Sequence, residues 1–139
     1  MSYNGLKDDL DSFAKFVYIY ANEIEYLKRE KDFSSKYPTA YNVFKSKLQK
    51  NMKFTTCNEI ANLKEDKKQT LFFTGSKAKA IEFCRHIRNS FSHGLLENKA
   101  DSLIISDKDK GRYTSKGYLD FDSVKMFIEG IVNDYENDK

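Results

Sequence analysis

Seven apolar residues, Leu6, Leu10, Phe13, Val17, Tyr20, Ile24 and Leu27, recur at alternating steps of four and three. That spacing matches the turn of an α-helix and draws one apolar stripe along it. Phe16 and Ile19 widen the stripe, and the charges of Lys28-Arg29-Glu30-Lys31-Asp32 end it. A helix of about 24 residues would be about 36 Å long at 1.5 Å per residue, the full length of a small bundle. A chain that opens this way must bury the stripe against other helices or a sheet.

The same period returns downstream. Tyr37-Pro38 suits a helix start, and Tyr41, Phe44, Leu48 and Met52 follow at helical spacing. Ile60 and Leu63 suggest a short third helix, Lys64 to Lys68 a solvated charge run, and Leu71-Phe72-Phe73 an apolar knot before Gly75. A further helix is expected from Ser76 as N-cap, with Ala80, Cys84, Ile87 and Phe91 on its apolar face and Gly94 as its end. The character then changes. Ser102 to Ser106 reads as a strand, Asp107 to Gly111 as a turn, and Arg112 to Leu119 as a returning strand. Asp122 is the expected cap of a last helix with Val124, Ile128, Ile131 and Tyr135 on its stripe. Gly130 inside that helix costs about 1 kcal/mol against alanine, which marks a close helix contact. The predicted fold is mainly α: one domain over residues 1–139, a bundle of four or five helices with a short β-hairpin before the last helix.

Composition narrows the function. A net charge of +3 permits RNA binding without arguing for it. Met1 to Asp11 is polar and acidic, unlike a secretory signal, and no apolar run approaches a membrane span. Cys57 and Cys84 lack metal-site spacing, and Cys84 falls on an apolar helix face. The expectation is a reduced, cytoplasmic protein without a membrane association, a metal or a cofactor.

Chemistry concentrates at Arg88-Asn89-Ser90-Phe91-Ser92-His93, where an arginine, an amide and a histidine meet within one helical pattern. A guanidinium fork suits phosphate oxygens, and histidine both takes and gives a proton near neutral pH. Arg88 and His93 stand about 140° apart around a helix, so one regular helix cannot aim both at one phosphate. Asn89 and His93 share a face, which His86 joins, and a second copy packed across a two-fold axis would bring two Arg and two His into one cleft. The bland alternative is a solvated helix end, with histidine favoured by the helix dipole and arginine snorkelling. A zinc site on His86 and His93 is excluded by their spacing of about 10 Å along the axis.

The Arg-Asn-Ser-Phe-Ser-His-Gly run, on the penultimate helix of a small helical chain, resembles the signature of the HEPN superfamily: Arg, a polar residue, three variable residues, then His. The resemblance implies a HEPN-like helical bundle and a metal-independent endoribonuclease of toxin or phage-defence type that dimerises around a composite site. It makes Arg88 and His93 catalytic, with Asn89 in support. Its partners would be RNA, a second copy, and an antitoxin or defence-system protein. His86, Ser92, Lys108, Lys110, Arg112 and Lys116 are the candidate substrate-binding residues; the bland alternatives are that His86 is an ordinary helix position and that the hairpin cations form a soluble turn whose charge Asp107 and Asp109 dilute. HEPN toxins paired with a nucleotidyltransferase carry a modifiable Tyr two residues after the His; Leu95 stands here instead, which points to another branch. Two alternatives remain: a silent HEPN-type dimer that binds RNA or protein, and an unrelated helical interaction module.

Overall fold

The computed structural model describes residues 9–61, 71–74, 79–94 and 96–137. Leu6, Leu63, the Lys64–Lys68 run, Gly75, Ser76 and Leu95 lie outside the described residues.

The first helix, α1, spans Leu10–Asn22 and buries Phe13, Phe16, Ile19 and Tyr20. It stops earlier than the apolar stripe predicts. Asn22 turns its amide back onto the Tyr18 carbonyl at 2.7 Å, and Glu23 leaves helical geometry at φ −134°, ψ −59°. A side chain that competes for a backbone carbonyl weakens the helix end. Glu23 is also drawn elsewhere: it accepts the Tyr37 hydroxyl and faces Lys36. One 3₁₀ turn, Ile24–Tyr26, carries Ile24 into the core.

The charge run expected to close the first helix opens the second. In α2, Glu30–Lys36, the Asp32 carboxylate accepts the Arg29 backbone amide at 3.3 Å and its guanidinium at 2.9 Å. Helix α3, Pro38–Val43, has proline at its first position, as predicted, and runs on through a π turn, Phe44–Leu48, and a 3₁₀ turn, Gln49–Asn51. A short helix, α4, covers Cys57–Ala61. Helix α5 spans Lys79–Ser92 and α6 spans Phe121–Asn137.

The strand content exceeds the expected hairpin. Among the described residues, five strands form one mixed sheet in the order β1-β2-β5-β4-β3. They are β1 Met52–Phe54, β2 Leu71–Phe73, β3 Glu97–Lys99, β4 Ser102–Asp109 and β5 Arg112–Asp120. Only β1 and β2 run parallel; the other pairs are antiparallel. The predicted hairpin is β4–β5, turned by Lys110 (φ 52°) and Gly111 (φ 80°). Two successive positive-φ residues match the twist of the flanking strands. The three added strands are three residues each, too short for period-two alternation to show in sequence.

The core lies between the sheet and the helices. Leu71, Phe73, Leu103, Ile105 and Leu119 meet Ala80, Phe83, Cys84 and Ile87 of α5 in one buried cluster. Around Phe127 of α6 stand Phe83 at 5.2 Å and Phe33 and Phe44 at 6.1 Å between ring centroids. Helix α6 begins directly after β5, and its cap is Asp120 rather than Asp122: Asp120 accepts the Ser123 amide at 3.0 Å and hydroxyl at 2.8 Å. Asp122 is exposed. Gly130 marks the close contact expected of it, for a Cβ there would fall 3.0 Å from backbone atoms of Ala40 in α3. From the next turn, Asp134 caps α3 by accepting the amides of Thr39 and Ala40 at 2.9 and 3.3 Å.

Candidate active site

Helix α5 is fixed on three sides before its polar residues come into play. Its apolar face enters the core. Glu30 of α2 accepts the Ala80 amide at 2.8 Å, occupying a donor that the first turn leaves open. Ser90 is buried and donates its hydroxyl to the Ser106 carbonyl of β4 at 2.6 Å. At the far end His93 bonds its amide to the Asn89 carbonyl at 3.0 Å, and Gly94, at φ 68°, closes the helix.

Arg88 is half-buried at the edge of the core. Its guanidinium carbon sits 5.3 Å from the Tyr20 ring centroid of α1, and its Nη1 donates to Asn89 Oδ1 at 2.7 Å. Tyr20 is 5% exposed. Burial pushes its phenol up to about 12, Cys84 adds to the rise, and the cations of Arg88 and Arg85 work against it. The ring is therefore neutral at physiological pH and serves as a face for the cation. Asn89 in turn donates Nδ2 to Asp107 Oδ2 at 3.2 Å.

Asp107 is the residue that sequence reasoning misses. The sequence places it in a turn, as a charge that dilutes the lysines. Instead it continues the inward row Leu103, Ile105, Asp107 on β4 and is 2% exposed. Its Oδ2 accepts from His86 Nδ1 at 3.2 Å, Asn89 Nδ2 at 3.2 Å and Thr114 Oγ1 at 3.1 Å. Its Oδ1 is buried with no hydrogen-bond partner among the described residues. Burial alone would raise its pKa, but the bonds from His86, Asn89 and Thr114 outweigh it and hold the carboxyl below the ordinary value. The signal that could have found it is the alternation itself, which places position 107 on the same face as Leu103 and Ile105.

His86 departs from the substrate-binding reading. The sequence leaves it between a bland helix position and a phosphate contact, and its side chain is fully buried. Nδ1 meets Asp107, Nε2 lies 3.2 Å from the Thr74 carbonyl, and the ring stands edge-on to Phe73 at 5.5 Å. The polar stripe it shares with Asn89 faces the sheet because Asp107 waits there. In this chain His86 is behind the site, out of reach of a phosphate.

The remaining candidates lie at the surface. His93 is exposed, and its ring makes no hydrogen bond among the described residues. Ser92 is half-buried. Lys108, Lys110 and Arg112 are exposed at the hairpin end, and Lys116 is half-buried. Lys108 and Lys116 both approach the Tyr113 ring, at 4.5 and 5.0 Å from its centroid. Lys108 follows the inward-facing Asp107, and Lys116 follows the buried Ser115, so alternation turns both lysines to the other face of the sheet, where they share the Tyr113 ring. On the α5 side the site offers a stacked, hydrogen-bonded guanidinium and an exposed imidazole, a pair suited to a phosphodiester. Among the described residues no group of three His, Cys, Asp or Glu could hold a metal ion, and no helix is long and apolar enough to cross a membrane.

A family model described as HEPN pEK499 p136 matches residues 9–139. The chain belongs to this HEPN family. The matched span holds α1 with Tyr20, the Arg88–His93 run at the end of α5 and the whole hairpin, so every residue of the candidate site lies within it. No curated protein and no solved structure gave a significant match.

Proposed function

We propose that this HEPN chain is a metal-independent endoribonuclease of toxin or phage-defence type, acting as a homodimer on RNA. The supporting observation is the state of the two motif side chains. Arg88 is held between the Tyr20 ring and Asn89, while His93, one turn beyond Asn89, is exposed to solvent. One is a prepared charge partner and the other an accessible proton carrier.

In the reaction His93 takes the proton of an RNA 2′-hydroxyl, whose oxygen attacks the adjacent phosphorus. Arg88 stabilises the negative charge that gathers on the phosphorane oxygens. The bond from phosphorus to the 5′-oxygen breaks, and that oxygen takes up a proton from an imidazolium or from water. The products are a 2′,3′-cyclic phosphate and a 5′-hydroxyl. Since the two motif residues stand about 140° apart on their helix, the complete set is assembled from two copies of α5. Lys108, Lys110, Arg112 and Lys116 would hold the RNA backbone as point charges.

The test is incubation of the purified protein with structured and unstructured RNA in EDTA, followed by analysis of the ends. Cleavage to cyclic phosphate is expected, with no cleavage of DNA or of RNA methylated at the 2′-oxygen of the scissile nucleotide. His93→Ala should lose about 10²–10⁴-fold in rate and Arg88→Ala about 10²–10³-fold. Cleavage of the methylated RNA, or wild-type rates in either variant, would refute the mechanism. RNA that is bound and left intact would support a silent HEPN dimer instead.

A further inference from the structure

We propose that Asp107 is the positioning residue of this site: acting through Asn89, it sets where the Arg88 guanidinium points. Its consequence for catalysis rests on the ribonuclease reading, while the geometry stands on the single chain.

Asp107 does not itself reach substrate, being 2% exposed. Nor is its charge needed to fasten β4 to α5. The apolar row Leu103 and Ile105 and the Ser90–Ser106 bond already do that. A buried carboxylate is a poor way to hold two elements together, and an apolar residue of similar size often does it better. What the carboxylate supplies is direction. A carboxylate only accepts, and a guanidinium only donates. The Asn89 amide lies between them, with its NH₂ end toward Asp107 at 3.2 Å and its carbonyl toward Arg88 at 2.7 Å. The reversed amide would set oxygen against oxygen and N–H against N–H. The negative charge on Asp107 therefore selects one orientation of Asn89, and that orientation presents an acceptor to Arg88. His86 and Thr114 complete the device by holding Asp107 Oδ2 at 3.2 and 3.1 Å from α5 and β5.

Asp107→Asn is the decisive variant, because it keeps size and hydrogen-bonding capacity but removes the directing charge at one end of Asn89: a neutral amide accepts either orientation, and only the mobile Arg88 side chain is left to choose between them. Two readouts are taken on the full-length protein. The first is RNA cleavage. The rate constant should fall about 10²-fold, the effect of a misplaced group of this kind, with little change in RNA affinity. In an Asn89→Leu background the same substitution should cost nothing further, since its route to Arg88 is already cut. The second is the NMR signals of the Asn89 side-chain amide and the Arg88 Nε–H, which should shift or broaden in Asp107→Asn without RNA. If Asp107→Asn fails to fold, Asp107→Leu removes the charge while completing the apolar row. Unchanged Asn89 and Arg88 signals would overturn the proposal, as would an equal loss of rate in the Asn89→Leu background. A wild type that cleaves no RNA would defeat the ribonuclease reading alone, and the NMR comparison would still decide this one.

Discussion

Asp107 holds a charge where its strand neighbours hold leucine and isoleucine, and the pH dependence of the fold should register it. Its carboxyl is held below the ordinary carboxylate value by His86, Asn89 and Thr114 despite the opposing effect of burial. A group whose pKa is lower folded than unfolded stabilises the fold fully above its unfolded value, about 3.9 for Asp. That contribution fades as pH falls below this value toward the folded one. Thermal melts of wild type and Asp107→Asn should therefore keep a constant gap from pH 7 down to about 4, with wild type the more stable, and converge only as pH falls further. A gap that closes above about pH 5, or that persists undiminished into strong acid, would contradict the assignment.

At the level of elements, the tightest joint is between α3 and α6. Gly130→Ala sets two effects against each other. Helix propensity alone favours alanine by about 1 kcal/mol. The new methyl, however, would fall 3.0 Å from the Ala40 Cα and amide nitrogen, which are backbone and cannot swing aside. Overpacking of this kind costs about 1–3 kcal/mol, so a net loss of about 1 kcal/mol is expected in urea unfolding. A gain in stability would mean that α6 slides easily over α3. Gly130 was legible as a contact because a glycine inside a strong apolar stripe weakens its own helix and gains only the room for a neighbouring backbone. Pro38, the α5 face and the β4–β5 hairpin were legible for the same kind of reason: each repeats or breaks a period over many residues. Strands β1, β2 and β3 were not, being three residues each and, for β1 and β2, set by partners far off in sequence. The break in α1 was hidden too, since it depends on Glu23 meeting Tyr37 and Lys36 across the fold.

For the whole molecule, the candidate site was half visible. Arg88, Asn89 and His93 announce themselves by chemistry within six residues. Tyr20, Thr114 and Asp107, which fix Arg88 and Asn89 in place, come from α1 and the hairpin and carry no local signature. His86 was not placed by the sequence, because a helical wheel shows which residues share a face but not what that face meets. What the monomer leaves incomplete is His93, exposed and without a bond to its ring among the described residues. The composite-site reading therefore predicts a two-fold dimer with the exposed His93 turned into the interface cleft. Light scattering should show a mass twice that of the chain at micromolar concentration, and a monomer would count against a shared site.

The bond from Glu30 to the Ala80 amide spans fifty residues of chain. It has a kinetic meaning apart from its role as a cap. The hairpin can close on its own tight turn, whereas the start of the motif helix is secured only after α2 has been brought back across a long stretch of chain. Contacts of such separation carry the loop-closure cost that slows folding. The start of the helix that carries Arg88 is thus anchored later than the hairpin, though before α6 closes on α3 across a still longer stretch. On the ribonuclease reading, a nascent chain would hold the motif in sequence before it holds it in working order.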